Sequence, residues 1–105
     1  MLKVEIVMDK EKLISDGQDF DKAMAFICNG LKEAGFREGY NEEGHIIYNG
    51  ADFPEDFPYF GLLDVLKQFS GQYWFRKYCT RWLFLNGSVV IGDFIEMAKS
   101  YGYWE

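Results

Sequence analysis

Few side chains in this chain of 105 residues are equipped for chemistry. His45 is the only histidine, and Cys28 and Cys79 are the only cysteines. The remaining reactive groups are 17 carboxylates set against 11 lysines and arginines. A general base or nucleophile needs a neighbour that takes or holds its proton. His45 opens a predicted strand with no Ser or Cys brought near it by sequence, so it is expected to be structural or simply exposed. Paired carboxylates can divide acid–base work when their surroundings differ, but Asp52 and Glu55 are spaced like ordinary loop acids. Both cysteines sit among apolar residues at helical spacing, as free buried thiols of a reducing compartment do. There is no Cys-x-x-Cys, two-histidine metal motif, phosphate loop, dinucleotide fingerprint or Gly-x-Ser-x-Gly. The expectation is a protein that is not an enzyme and carries neither metal nor cofactor.

Recognition chemistry is better represented. Residues 73–84 read YWFRKYCTRWLF, with six rings, three bases and no acid. Residues 65–92 as a whole hold four bases (Lys67, Arg76, Lys77 and Arg81) and no acid, inside a chain of net charge −6. Bases interleaved with rings can track a phosphate backbone and stack on bases. A helix must first bury one face, however, and the rings occupy that face, which leaves Lys67, Arg76, Lys77 and Arg81 as a weak phosphate footprint. Internal pairing with the acidic part of the chain is the stronger reading of these four.

The acids point the other way. Glu42 and Glu43 in a predicted turn, Asp52, Glu55 and Asp56 in a Pro-rich loop, and Asp16, Asp19 and Asp21 near the first predicted helix can together present one negative surface. Spaced carboxylates imitate phosphates and compete for a basic groove. Phe53 and Tyr59 lie beside this set in sequence and, with Trp104 in the final residues, are candidate aromatic anchors, a residue class common at binding hot spots; for Trp104, docking on the body of the fold is the stronger reading.

The elements that must position these residues follow from periodicity. Leu2 to Met8 alternates and predicts a half-buried strand. Asp9 to Gly17 reads as a charged loop. Phe20, Ala23, Met24, Ile27, Cys28, Leu31 and Ala34 form one apolar stripe of a helix that Gly35 stops, with Phe36 folding back on its last turn. Phe36 to Tyr40 and His45 to Tyr48 flank a turn and predict a hairpin. Pro58 opens a helix through Leu62, Leu63, Leu66 and Phe69. Phe75, Tyr78, Cys79 and Trp82 recur at helical steps and predict a further helix from Gln72 to Leu85, closed by Asn86-Gly87. Ser88 to Gly92 reads as an extended connector, and Asp93-x-x-Glu96 is a capping box that opens a last helix.

The predicted fold is therefore α+β: one domain, residues 1–105, with a three-stranded antiparallel sheet packed against three to four helices. The opening MLKVEIVMDKEKL has no apolar run of signal-peptide length, and no stretch nears the roughly 20 apolar residues of a membrane span. A cytoplasmic protein without membrane contact is expected. The succession FDKAMAFICNGLKEAGF, HIIYNG, FPYFGLLDVLKQF and WFRKYCTRWLFLNG resembles small acidic proteins of unassigned role carried by conjugative elements and phages of Gram-positive bacteria. That resemblance implies neighbours such as antirestriction factors. The leading expectation is a non-catalytic protein that binds another protein through the acidic, aromatic-rimmed surface and antagonises a nucleic-acid-handling enzyme. The alternatives are a nucleic-acid-binding module using residues 72–85 and an immunity-type toxin inhibitor.

Overall fold

Alternation builds the first strand, β1 (Leu2–Met8). Val4, Ile6 and Met8 are buried on one side, while Lys3, Glu5 and Val7 are half-buried on the other. The computed structural model describes residues 2–50 and 59–104, apart from the side chains of Glu38 and of residues 59–62. Helix α1 (Lys10–Ser15) follows β1, capped by the Asp9 carboxylate, which accepts from the Lys12 N–H at 3.1 Å. This segment had been expected to be a loop. Six residues carrying one buried side chain, Leu13, are too few to show a helical period.

Helix α2 (Phe20–Glu33) is capped by Asp19 and buries Ala23, Met24, Ile27 and Leu31, the predicted stripe. Gly35 ends it at φ 98°, with its N–H bonded to the Lys32 carbonyl and the Phe36 N–H bonded to the Leu31 carbonyl. That pair of bonds is the Schellman closure the Gly-Phe sequence called for. Strands β2 (Arg37–Glu42) and β3 (His45–Asn49) are joined by the two-residue turn Glu43-Gly44, both at positive φ. Helix α3 (Tyr59–Ser70) lies close to α2. A Cβ placed on Gly30 would stand 2.5 Å from the Phe69 ring, so that crossing depends on glycine.

The ring-rich segment is not one helix. Helix α4 (Tyr73–Tyr78) gives way at once to strand β4 (Cys79–Asn86), and β5 (Val89–Asp93) and α5 (Phe94–Ser100) complete the chain. Phe75, Tyr78, Cys79 and Trp82 are all buried, as a helix would require, but the first two are held by α4 and the last two by β4. Helical spacing and a helix-to-strand junction bury the same four residues here. Asn86-Gly87 does not close a helix; Gly87-Ser88 is the two-residue turn of a β4–β5 hairpin, with Gly87 at φ 64°. Ser88 to Gly92, expected as a connector, supplies most of β5.

All strands are antiparallel, in the order β2-β3-β1-β4-β5. The described residues thus hold five strands where three were expected, and five helices where three or four were. The first four strands and their helical crossovers have the split βαβ connectivity, and the β5–α5 unit extends one edge. The helices contribute Leu13, Ile27, Leu31, Leu66, Phe69, Phe75, Phe94 and Ala98 to the same core cluster as Val4, Ile6, Ile46, Tyr48, Trp82 and Phe84 of the sheet. Trp82 is its hub: ring centroids lie 5.0 Å away in Phe75 and Phe94, 5.8 Å in Phe69 and 6.3 Å in Trp104.

Candidate binding face

Because every described helix contributes to the core on one side of the sheet, the register identifies the side chains on the other. Residues directly opposed across an antiparallel ladder share a face. Val90, Leu85, Lys3, Asn49 and Arg37 form one row across the five strands. Asp93, Leu83, Glu5, Ile47 and Tyr40 form the next, and Arg81, Val7, His45 and Glu42 a third. Leu85 is only 8% exposed yet lies outside the main core cluster, as a residue on this second face should. Leu83, Ile47 and Val7 are half-buried and Val90 is exposed, so an apolar band crosses the face. Its formal charges, Lys3, Arg37 and Arg81 against Glu5, Glu42 and Asp93, balance.

A chain of polar groups is set into this band. The Tyr40 hydroxyl lies 2.8 Å from His45 Nδ1, and His45 Nε2 lies 2.7 Å from Glu5 Oε2. An ionised carboxylate can only accept, so His45 Nε2–H donates to Glu5, and the Tyr40 hydroxyl bonds the other ring nitrogen. Arg81 Nη1 approaches the other Glu5 oxygen at 3.7 Å. Glu5 is only 13% exposed on its side chain, and these partners compensate a carboxylate held that far out of water. All three contacts are diagonals between adjacent rows, within reach of long side chains. The sequence offered no partner for His45; the sheet supplies two. The signal was there in part, since Glu5 alternates with the buried positions of β1, but finding Tyr40 required the position of the two-residue turn.

A second polar cluster ties α1 to α4. Tyr78 donates its hydroxyl to Asp16 Oδ2 at 2.8 Å, and Lys77 Nζ lies 3.3 Å from the same oxygen. These two contacts, the tyrosine first, hold the Asp16 carboxyl below its ordinary value of 3.8. Burial pushes the Tyr78 phenol up, and the Asp16 carboxylate adds to the effect. A carboxyl lowered by folding contributes stability that is present above 3.8 and is lost as pH falls through its folded-state value. In Asp16→Asn that component is absent. The difference in Tm between wild type and Asp16→Asn is therefore expected to be largest near neutrality and to shrink below pH 3.8, checked by thermal unfolding across that range. Elsewhere, both cysteines are free: Cys28 is half-buried, and burial pushes the Cys79 thiol up to about 12.

The residues expected to form the acidic and basic surfaces are dispersed. Glu42 ends β2 on this second face, and Glu43 occupies the adjoining turn; both are exposed. Asp52, Phe53, Glu55 and Asp56 lie outside the described residues, as does the side chain of Tyr59. Trp104 is half-buried against Phe75 and Trp82, brought back by a second Schellman closure in which Gly102 and Tyr103 bond to Lys99 and Ala98. Lys67 is exposed on α3. Arg76 donates to the Ser70 carbonyl at 2.6 Å, Lys77 pairs with Asp16, and Arg81 with Glu5. Since Arg81 lies on the face of the sheet opposite the helices, Arg76, Lys77 and Arg81 form no continuous row.

Among the described residues, no three His, Cys, Asp or Glu side chains gather to hold a metal ion, and no helix is long and apolar enough to cross a membrane. Fold and face together define a two-layer α+β domain with helices on one side of its sheet and a mixed apolar and polar surface on the other. The sequence matches no family model, and comparison with curated proteins and solved structures gave no significant match.

Proposed function

We propose that this chain is a non-catalytic binding protein that engages a protein partner through the second face of its sheet. One observation carries the reading. Ile47, Leu83, Leu85 and Val90 form an apolar band on a face to which no described helix contributes, and a fixed polar chain, Tyr40–His45–Glu5–Arg81, is embedded in it. A desolvated apolar centre with a few oriented hydrogen-bonding groups is the composition of a protein interface. The net charge of −6 favours a partner with a basic surface, the class that includes nucleic-acid-handling enzymes, through attraction that acts over about 10 Å at 0.1 M salt. Glu42 and Glu43, at the rim of the face, contribute to that steering.

The test is capture from a lysate of the source cells with wild type and with Ile47→Arg/Leu83→Arg as baits. Both substituted side chains are half-buried and lie outside the core cluster, so the double variant is expected to fold. Binding of the captured protein should weaken roughly thirtyfold or more in that variant, the scale of losing a buried anchor. Glu42→Gln/Glu43→Gln should instead reduce the salt dependence of binding. Equal retention by wild type and the arginine variant, or no protein retained by wild type, would defeat the reading.

A further inference from the structure

On the helical side of the sheet, a cavity of about 320 Å³ opens between α1, α2 and α4. Leu13 and Ala23 are buried beneath it, and the half-buried Phe26 and Trp74 form its wall. These two rings meet edge to face, with centroids 5.5 Å apart and planes at 85°, so the apolar wall is set before any ligand arrives. Gln18, Asp19 and Lys22, all exposed, complete the lining as a polar rim. An apolar pocket with a few polar groups is the usual build of a small-molecule site, and this one lies at the small end of the range.

The two rim charges select the ligand. Asp19 commits Oδ1 to the Lys22 N–H, at 3.1 Å, as the cap of α2. Among the described residues its Oδ2 accepts from no donor, and Lys22 Nζ pairs with no carboxylate. Three residues apart on one helical turn, the two side chains are neighbours. A simple anion entering here meets the Asp19 carboxylate, and a simple cation meets the Lys22 ammonium. A molecule that carries both charges close together satisfies each of them. We infer that this cavity binds a free α-amino acid with an aromatic side chain. Its ring packs against Phe26 and Trp74, its ammonium donates to Asp19 Oδ2, and its carboxylate accepts from Lys22 Nζ.

Size agrees with this ligand. The cavity holds the volume of roughly ten water molecules, which suits a ligand of about ten non-hydrogen atoms. So few atoms at an exposed rim give a dissociation constant on the order of 0.1–1 mM. The cavity shares no residue with the rows of the second face, so this site and the proposed protein interface stand or fall separately.

Amide NMR titration of the whole chain with L-phenylalanine, to about 10 mM, covers that constant. Saturable shifts are expected at the Trp74 indole N–H and at amides of residues 18–26, with Ile47 and Leu83 unmoved. Phenethylamine, which lacks the carboxylate, and 3-phenylpropionate, which lacks the ammonium, should each bind roughly tenfold more weakly or worse, the scale of one lost charged hydrogen bond. Asp19→Asn keeps a good helix cap and Lys22→Gln alters an exposed side chain, so both should fold, and each should weaken phenylalanine binding by a similar factor. The absence of saturable shifts in wild type would overturn the inference. So would either analogue binding as tightly as phenylalanine, or both folded variants binding it as wild type does.

Discussion

Trp82→Ala is expected to lower the stability of this protein by about 3–5 kcal/mol, the cost of deleting a buried tryptophan and leaving a cavity. Small domains have only about 5–15 kcal/mol in total, so the variant should be largely unfolded near 37 °C or close to it. The magnitude follows from position. Trp82 is 0% exposed and meets Phe69, Phe75, Phe94 and Trp104, which come from α3, α4, α5 and the C-terminal segment. No single neighbour can move to fill its volume without disturbing three elements. In thermal unfolding the loss corresponds to roughly 15–30 °C in Tm for a domain of this size. Arg81→Ala, one residue away, should change stability by less than about 1 kcal/mol, because its pair with Glu5 is long and its side chain is 59% exposed. The contrast between adjacent residues is the mark of a strand. A Tm for Trp82→Ala within a few degrees of wild type would show that the ring hub does not hold the layers together.

The second large effect concerns a turn. Gly44→Ala is expected to cost roughly 2–4 kcal/mol, combining the strain of a left-handed residue with a steric conflict against backbone. Gly44 lies at φ 92°, and a Cβ there would stand 2.7 Å from the Met8 carbonyl oxygen. The close approach is required, because Met8 donates its N–H to the Gly44 carbonyl at 2.8 Å where the β2–β3 turn meets the end of β1. An added methyl group pushes the turn away from β1 and disturbs the register that brings His45 to Glu5. Gly87→Ala is the matched control: it also has positive φ but has nothing within 4 Å of a built Cβ, so it should lose only the strain component. Denaturant unfolding of the two variants separates strain from contact, and equal losses would remove the Met8 contact from the explanation.

What could be read from the sequence was whatever depends on local chemistry. The alternation of β1, the apolar stripe and Gly35-Phe36 closure of α2, and the Asp93 cap of α5, which accepts from the Ile95 and Glu96 N–H groups, are decided within a few residues. Residues 79–86 are decided elsewhere. The neighbouring β1 offers a ladder from Leu2 to Met8, and Cys79–Asn86 takes it despite spacing that also satisfies a helix. The Asn86-Gly87 pair between apolar runs serves equally as a hairpin turn and as a helix stop, and local chemistry does not choose between them. Without β4 the sheet could not be placed as five strands, and Arg81 was grouped with Arg76 and Lys77 instead of with Glu5.

The binding face was illegible for the same reason. Its members come from all five strands, and each is ordinary in isolation: one histidine, one tyrosine, a carboxylate in an alternating strand and a few aliphatic residues. Only register assembles them. Charge counting drew attention to the acidic and basic clusters, yet several of those residues serve as caps or internal partners, such as Asp16, Asp19 and Lys77.

Cysteine labelling along β4, with and without the captured partner, tests the account most directly. In a Cys28→Ser background the remaining native thiol, Cys79, is buried and pushed up to about 12, so it should stay silent. Leu83→Cys should react readily and Phe84→Cys should not, and adding the partner should slow labelling of Leu83→Cys while leaving Lys67→Cys unchanged. Leu83→Cys labelling at the same rate with the partner bound, or Phe84→Cys reacting as fast as Leu83→Cys, would contradict a sheet that buries one face and binds with the other.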